Sequence, residues 1–141
     1  MNRREMLQGA GVVAMAGFAA NAFAEDHSQH AAMMGTGLTQ SAGDCVRTGE
    51  ACLAHCIDML SSGDNEMAGC AKSVSQLIPL CSALQSLATQ NSAYTANLAK
   101  VAMQACKECQ KECEKFPQHA VCKACAEACA ACYKQCEKIA A

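Results

Sequence analysis

Small apolar and sulfur-bearing positions recur every three or four residues through most of this chain, with polar residues between them. The sharpest case is Cys122, Cys125, Cys129, Cys132 and Cys136. At ~100° per residue these five fall within a sector of roughly 60–80°, one narrow stripe of an α-helix. Lys123, Glu127, Lys134 and Lys138 lie opposite. The same pattern predicts three earlier helices. Over 44–60 the stripe is Cys45, Cys52, Cys56 and Met59; over 65–88 it is Met67, Cys70, Val74, Leu77, Cys81, Leu84 and Ala88. Over 92–115 it is Ala99, Ala102, Cys106, Cys109 and Cys113. A helix with one apolar face turns that face inward.

The breaks between these stretches are short. Ser61-Ser62-Gly63-Asp64 reads as a turn with Asp64 as N-cap, and Thr89-Gln90-Asn91-Ser92 as another. Phe116-Pro117 ends the third helix, and Pro117 suits the first turn of a fourth over 117–139. Pro79 should kink or split the second. The fold expected is all-α: an antiparallel up-down-up-down four-helix bundle over 44–141 with a cysteine-lined core. Its two ends differ. One gathers His55, Met59, Met67, Phe116 and His119 and reads as a mouth. The other gathers Leu84, Leu87, Leu98 and Ile139 and reads as an apolar plug.

Residues 1–24 read as an export signal. Asn2-Arg3-Arg4-Glu5-Met6-Leu7 is a twin-arginine pattern, a mildly apolar stretch follows, and Ala22-Phe23-Ala24 is a small-x-small cleavage site. This predicts export by the twin-arginine route to the periplasm or another compartment outside the cytoplasm. Residues 25–43 show no sustained period and read as a flexible N-terminal arm. Cleavage after Ala24 would expose Glu25-Asp26-His27, a set of nitrogens suited to Cu(II), with His30, Met33 and Met34 just downstream. The whole chain has 141 residues and a net charge of −2, which gives no support for nucleic-acid binding.

Composition sharpens the question of what fills the core. There is no Trp, and there are only three Phe, but there are thirteen Cys. Disulfides suit an oxidising compartment. Yet the number is odd, and i,i+3 and i,i+4 neighbours hold their Cβ atoms wider apart than a disulfide allows. Thiolates with nearby thioethers favour Cu(I), zinc or iron–sulfur clusters. Zinc wants closed sets of four thiolates, and a continuous stripe is expected to offer no separate groups of four. Four thiolates per zinc would also bury negative charge. Cu(I) accepts two or three bridging thiolates and is neutral at one ion per thiolate. Cys-x-x-Cys pairs at 106/109, 122/125 and 129/132 leave an iron–sulfur electron carrier open, and a disulfide-stapled structural domain is the other alternative. There is no Cys-x-x-Cys-His for covalent haem, and no nucleophile elbow or zincin spacing, so no enzymatic activity is expected.

With its twin-arginine leader, four-helix layout and CxxCxxxCxxCxxxC helix, the chain resembles the exported copper storage proteins over nearly its whole length. The resemblance implies multiple Cu(I) ions per chain on Cys45, Cys52, Cys56, Cys70, Cys81, Cys106, Cys109, Cys113, Cys122, Cys125, Cys129, Cys132 and Cys136. It implies a homo-oligomer, a tetramer in such proteins. It also implies copper supply to a copper-requiring enzyme such as methane monooxygenase, or to a chaperone. The open end of such proteins carries His and Met, and His55, Met59 and Met67 match that placement. His119 falls at the same end and is expected to share in metal admission.

Overall fold

The computed structural model describes the backbone of residues 24–140 and the side chains of residues 36–140. The twin-arginine motif and the cleavage site up to Phe23 lie outside the described residues, as do the side chains of His27, His30, Met33 and Met34. Four α-helices follow in order: α1, Ala24–Ser61; α2, Ala68–Thr89; α3, Thr95–Cys113; α4, Ala120–Ala140. A single 3-10 turn, Asn65–Met67, precedes α2. Among the described residues none is in a strand, and no helix is long and apolar enough to cross a membrane.

Each helix packs against its two neighbours in a closed square: α1 on α2 and α4, α3 on α2 and α4. Short links force successive helices to reverse direction. Sulfur positions bear this out. Cys52 meets Cys70 and Cys122, and Cys70 meets Cys113. Eleven residues deeper, Cys81 shares a sulfur cluster with Cys45, Cys106 and Cys132. Moving into the bundle therefore lowers the residue number on α1 and α3 and raises it on α2 and α4.

The turns explain where helices stop. Asp64 caps the 3-10 turn by accepting a hydrogen bond from the Glu66 N–H at 3.1 Å. Gly63 beside it has φ +93°, a conformation glycine enters without a Cβ clash. α2 closes with Asn91 in the left-handed region, φ 50°. The Asn91 N–H donates to the Ala88 carbonyl and the Ser92 N–H to that of Leu87, a paired closure that satisfies two terminal carbonyls. Close approach of α1 and α2 depends on Gly49, where a Cβ would lie 3.1 Å from Ile78 Cγ1.

Three boundaries differ from the sequence expectation. α1 begins at Ala24, not near residue 44, so the segment read as an arm is helical. Leu38 and Ala42 are fully buried there. With Cys45 they stand at i, i+4 and i+7, extending the inward stripe about two turns below the last α1 thiol. α2 runs unbroken through Pro79. Pro79 is exposed, so the carbonyl it frees can meet water. Pro117 lies in the turn before α4, three residues ahead of the helix.

The core is sulfur. Of the 24 buried hydrophobic residues among those described, 13 are cysteines, and each of these is 0% exposed. Below the thiols, Leu38, Ala42, Leu84, Ala88, Ala99 and Ala102 close the end where α1 enters. The plug is thus built mainly from Leu38 and Leu84 over a floor of alanines. Leu98 and Ile139 pack against it only in part. Lys123, Glu127, Lys134 and Lys138 are exposed, as their spacing requires.

Candidate metal centre

All four helices place thiols on one axis because each carries them at helical period. Thirteen thiols are free, unbridged and buried. Their contacts form a ladder. Cys52 lies 3.8 Å from Cys70, 4.0 Å from Cys113 and 3.7 Å from Cys122. Cys70 lies 3.6 Å from Cys113, which lies 3.9 Å from Cys109. Cys109 then reaches Cys125 at 3.8 Å, and Cys132 reaches Cys136 at 3.9 Å. The contact of Cys52 with Cys113 spans the diagonal of the bundle, from α1 to α3. No large side chain stands between opposite helices there, which only small residues allow.

The thiols also gather into sets that sequence alone did not separate. Cys45, Cys81, Cys106 and Cys132, one from each helix, have all four sulfurs within 4.8 Å of one another. So do Cys52, Cys56, Cys70 and Cys122. Two sets of three, Cys52/Cys113/Cys125 and Cys109/Cys125/Cys129, lie between. This corrects the expectation that a stripe of thiols offers no groups of four. A stripe describes one helix, whereas a set of four is made where three or four helices meet at one level of the bundle. The case against zinc then rests on charge: a closed four-thiolate zinc site is dianionic, and no cationic side chain is among these buried groups.

The array divides its protons unevenly. Burial first, then the charge of Cys52, holds Cys56 and Cys122 well above the ordinary thiol value of 9.0. Cys113 is pushed up by Cys109 first, then by Cys125, Cys52 and Cys70. Cys109 is pulled down by hydrogen bonding within the cluster, with Cys113 first. Cys109 works against Cys125, but hydrogen bonds from Cys113, Cys129 and Cys52 outweigh it and lower Cys125 to about 5. Cys132 is lowered by Cys106 first, then by Cys136, Cys45 and Cys81. A few hub thiolates are thus surrounded by thiols that keep their protons. Such an array can take up monovalent soft cations, each one either displacing a proton from a thiol or neutralising a thiolate.

At the end formed by the α1–α2 and α3–α4 links stand His55, adjacent in sequence to the outermost α1 thiol Cys56, and His119, three residues before Cys122. His55 Nε2 is 3.0 Å from His119 Nδ1, and both rings are half-buried. His119 is held at the start of α4: its N–H donates to the Phe116 carbonyl at 3.1 Å, and its carbonyl accepts from Lys123. Phe116 packs beside its ring, 6.2 Å between centres. The two histidines expected at the mouth are therefore brought into direct contact. Met59 is half-buried and packs against the core, whereas Met67 is fully buried. The residues that sequence reasoning missed are Leu38 and Ala42, which shut the opposite end. Residues 25–43 show no sustained period by themselves, so nothing local marks these two as inward.

The sequence profile described as copper storage protein matches residues 32–141. Among solved structures, the Cu(I)-bound copper storage protein BsCsp3 is similar in fold. Its TM-score is 0.71 at 24% identity, over 77% of this chain and 99% of that one. Among curated proteins, none matches this chain significantly.

Proposed function

This chain belongs to the copper storage protein family, and on that premise we propose that its bundle stores Cu(I), roughly one ion per thiolate, on the order of 13 per chain. The observation that carries the reading is the core itself. Thirteen unbridged thiols, all 0% exposed, lie on one axis with neighbouring sulfurs 3.6–4.0 Å apart. Bridging Cu(I) needs little rearrangement of such sulfurs, and each ion displaces a thiol proton or neutralises a thiolate. An ion can pass along the ladder by associative exchange, bonding the next sulfur before leaving the last. The role is storage, with no catalytic step.

Loading runs from the end that His55, Met59 and His119 occupy, because Leu38 and Leu84 block the other. Cys56 and Cys122 are the thiols nearest the histidines in sequence. Met67, being fully buried, serves there as a wall or an inner thioether ligand. The leader over residues 1–24 supports export by the twin-arginine route, which carries folded chains. The stored copper would then serve a copper-requiring enzyme, such as methane monooxygenase, or a chaperone outside the cytoplasm. Self-assembly of the chain is part of the same proposal, and light scattering reads it.

The test is Cu(I) titration of reduced, metal-free protein against a chromophoric Cu(I) chelator. Saturation near one ion per thiolate supports storage. The two four-thiol sets favour a second reading, a zinc protein with closed tetrahedral sites. Saturation at two to four ions, with zinc outcompeting Cu(I), would select it instead.

A further inference from the structure

One thiol of the array also lines a groove on the outside of the bundle. The groove runs between α3 and α4 and has a volume of about 310 Å³. Cys113 and Ala126 are the buried members of its lining and form the floor. The opening follows from the residues on α4. Ala126 and Ala130, four residues apart, share one row of the helix surface, and a single methyl group at each fills little of the space. Across from them stand Gln110 and Glu114, joined by a hydrogen bond from Gln110 Nε2 to Glu114 Oε1 at 2.7 Å. Grooves elsewhere, over Leu80 and Val101 or beside Lys134 and Lys138, touch no cysteine.

The rim carries charge in a pattern that selects a ligand. Lys123 and Glu127 are exposed on α4 and enter no ion pair among the described residues, whereas Glu114 is engaged by Gln110. At i,i+4 their Cβ atoms lie about 5–6 Å apart. That spacing suits the ammonium and carboxylate ends of a dipeptide, whose Cα atoms are about 3.8 Å apart. The volume matches as well, being that of roughly ten waters. Under this rim, Cys113 lies 3.6 Å from Cys70, 3.9 Å from Cys109 and 4.0 Å from Cys52. Resting on the storage reading, we propose that the groove docks a small zwitterionic peptide thiol that withdraws Cu(I) from Cys113. Its carboxylate meets Lys123, its ammonium meets Glu127, and its sulfur points to the floor. Cys113 is 0% exposed, but it is the last residue of α3, so opening of one terminal turn brings its sulfur to the groove. The transfer is a ligand exchange. The S–H bond of the incoming thiol breaks as its sulfur bonds Cu(I); the Cu–S bond to Cys113 breaks, and Cys113 takes the proton. Copper stays Cu(I), and no electron moves. Ions on Cys70, Cys109 and Cys52 then refill Cys113 along the ladder.

The test uses the full chain filled with Cu(I), its capacity measured beforehand. Cysteinylglycine is the zwitterionic thiol, 2-mercaptoethanol the uncharged control, and a chromophoric chelator in excess traps the released ion. Removal by cysteinylglycine should saturate with its concentration, whereas removal by 2-mercaptoethanol should rise linearly. Lys123→Glu should slow cysteinylglycine about five-fold, since an ion pair becomes a repulsion, and leave 2-mercaptoethanol within about two-fold. Neither thiol carries net charge, so the altered charge of the chain acts on both alike. Ala126→Leu fills the groove and should slow cysteinylglycine by a similar factor at unchanged Cu(I) capacity. If that variant fails to fold, Ala130→Leu, at a half-buried position of the same wall, replaces it. A cysteinylglycine rate unchanged in these variants, or slowed equally for both thiols in Lys123→Glu, would overturn the site. A chain that does not fill with Cu(I) in the first place fails the storage reading instead, so the two failures are told apart.

Discussion

Replacing Cys106 by alanine separates a shared thiolate array from a set of closed sites. Cys106 is fully buried and belongs to the set with Cys45, Cys81 and Cys132. In the metal-free protein the change removes one sulfur, comparable to a methyl group and worth ~1 kcal/mol of burial. A void on the order of 20 Å³ adds about 0.5 kcal/mol. The sum, about 1–2 kcal/mol, is small against a typical stability of about 5–15 kcal/mol, so Cys106→Ala should remain a folded helical chain. Copper capacity responds differently in the two cases. In a shared array each ion bridges several sulfurs and charge neutrality sets the count, so capacity falls from about 13 to about 12. In closed four-thiolate sites the wild type binds only a few ions, and losing Cys106 deletes a whole one. The assays are urea unfolding of the reduced protein and Cu(I) titration of both forms. A wild-type capacity of two to four that drops by one would refute the array. So would an unfolded metal-free variant, because thiols and alanines would then be unable to pack the bundle without metal.

Three other outcomes are expected. Nine thiols are held above 9.0 in the folded chain. Above pH 9 the unfolded chain sheds protons that the folded chain keeps, so the contribution of these nine to metal-free stability is full below pH 9 and falls above it, by up to ~1.4 kcal/mol per pH unit for each such thiol, while the lowered thiols Cys52, Cys109, Cys125 and Cys132 contribute most above pH 9 and lose it on acidification; a urea midpoint that stays flat or rises from pH 9 to 10.5 would contradict this. Leu38→Ala should cost ~2–5 kcal/mol in unfolding experiments and leave Cu(I) capacity unchanged, because Leu38 is buried in the plug and not among the thiols; a change under about 0.5 kcal/mol would mean the first turns of α1 do not seal the bundle. Replacing His55, Met59 and Met67 together by leucine should slow Cu(I) uptake and removal in stopped-flow measurements with capacity nearly unchanged, whereas a sharp loss of capacity at unchanged rates would make them storage ligands.

Local spacing alone settled much of this protein. The three-and-four rhythm of Cys122 to Cys136 admits one secondary structure and one buried face. The same holds for the stripes of α2 and α3, whose inward positions are all buried. Asp64 and Asn91 punctuate the chain by their own side-chain and backbone chemistry, so those turns were legible as well. Soft-metal chemistry followed from the identity of the stripe. What one stripe cannot encode is its register against three others. Whether Cys45, Cys81, Cys106 and Cys132 form a set depends on how far each antiparallel helix slides along its neighbours. Leu38 and Ala42 share the rhythm of Cys45, but only a neighbouring helix on which to bury them outweighs the low helix propensity of the glycines nearby. The contact of His55 with His119 is the clearest case. They are 64 residues apart, on different elements, and only the closing of α1 against α4 brings their nitrogens to 3.0 Å.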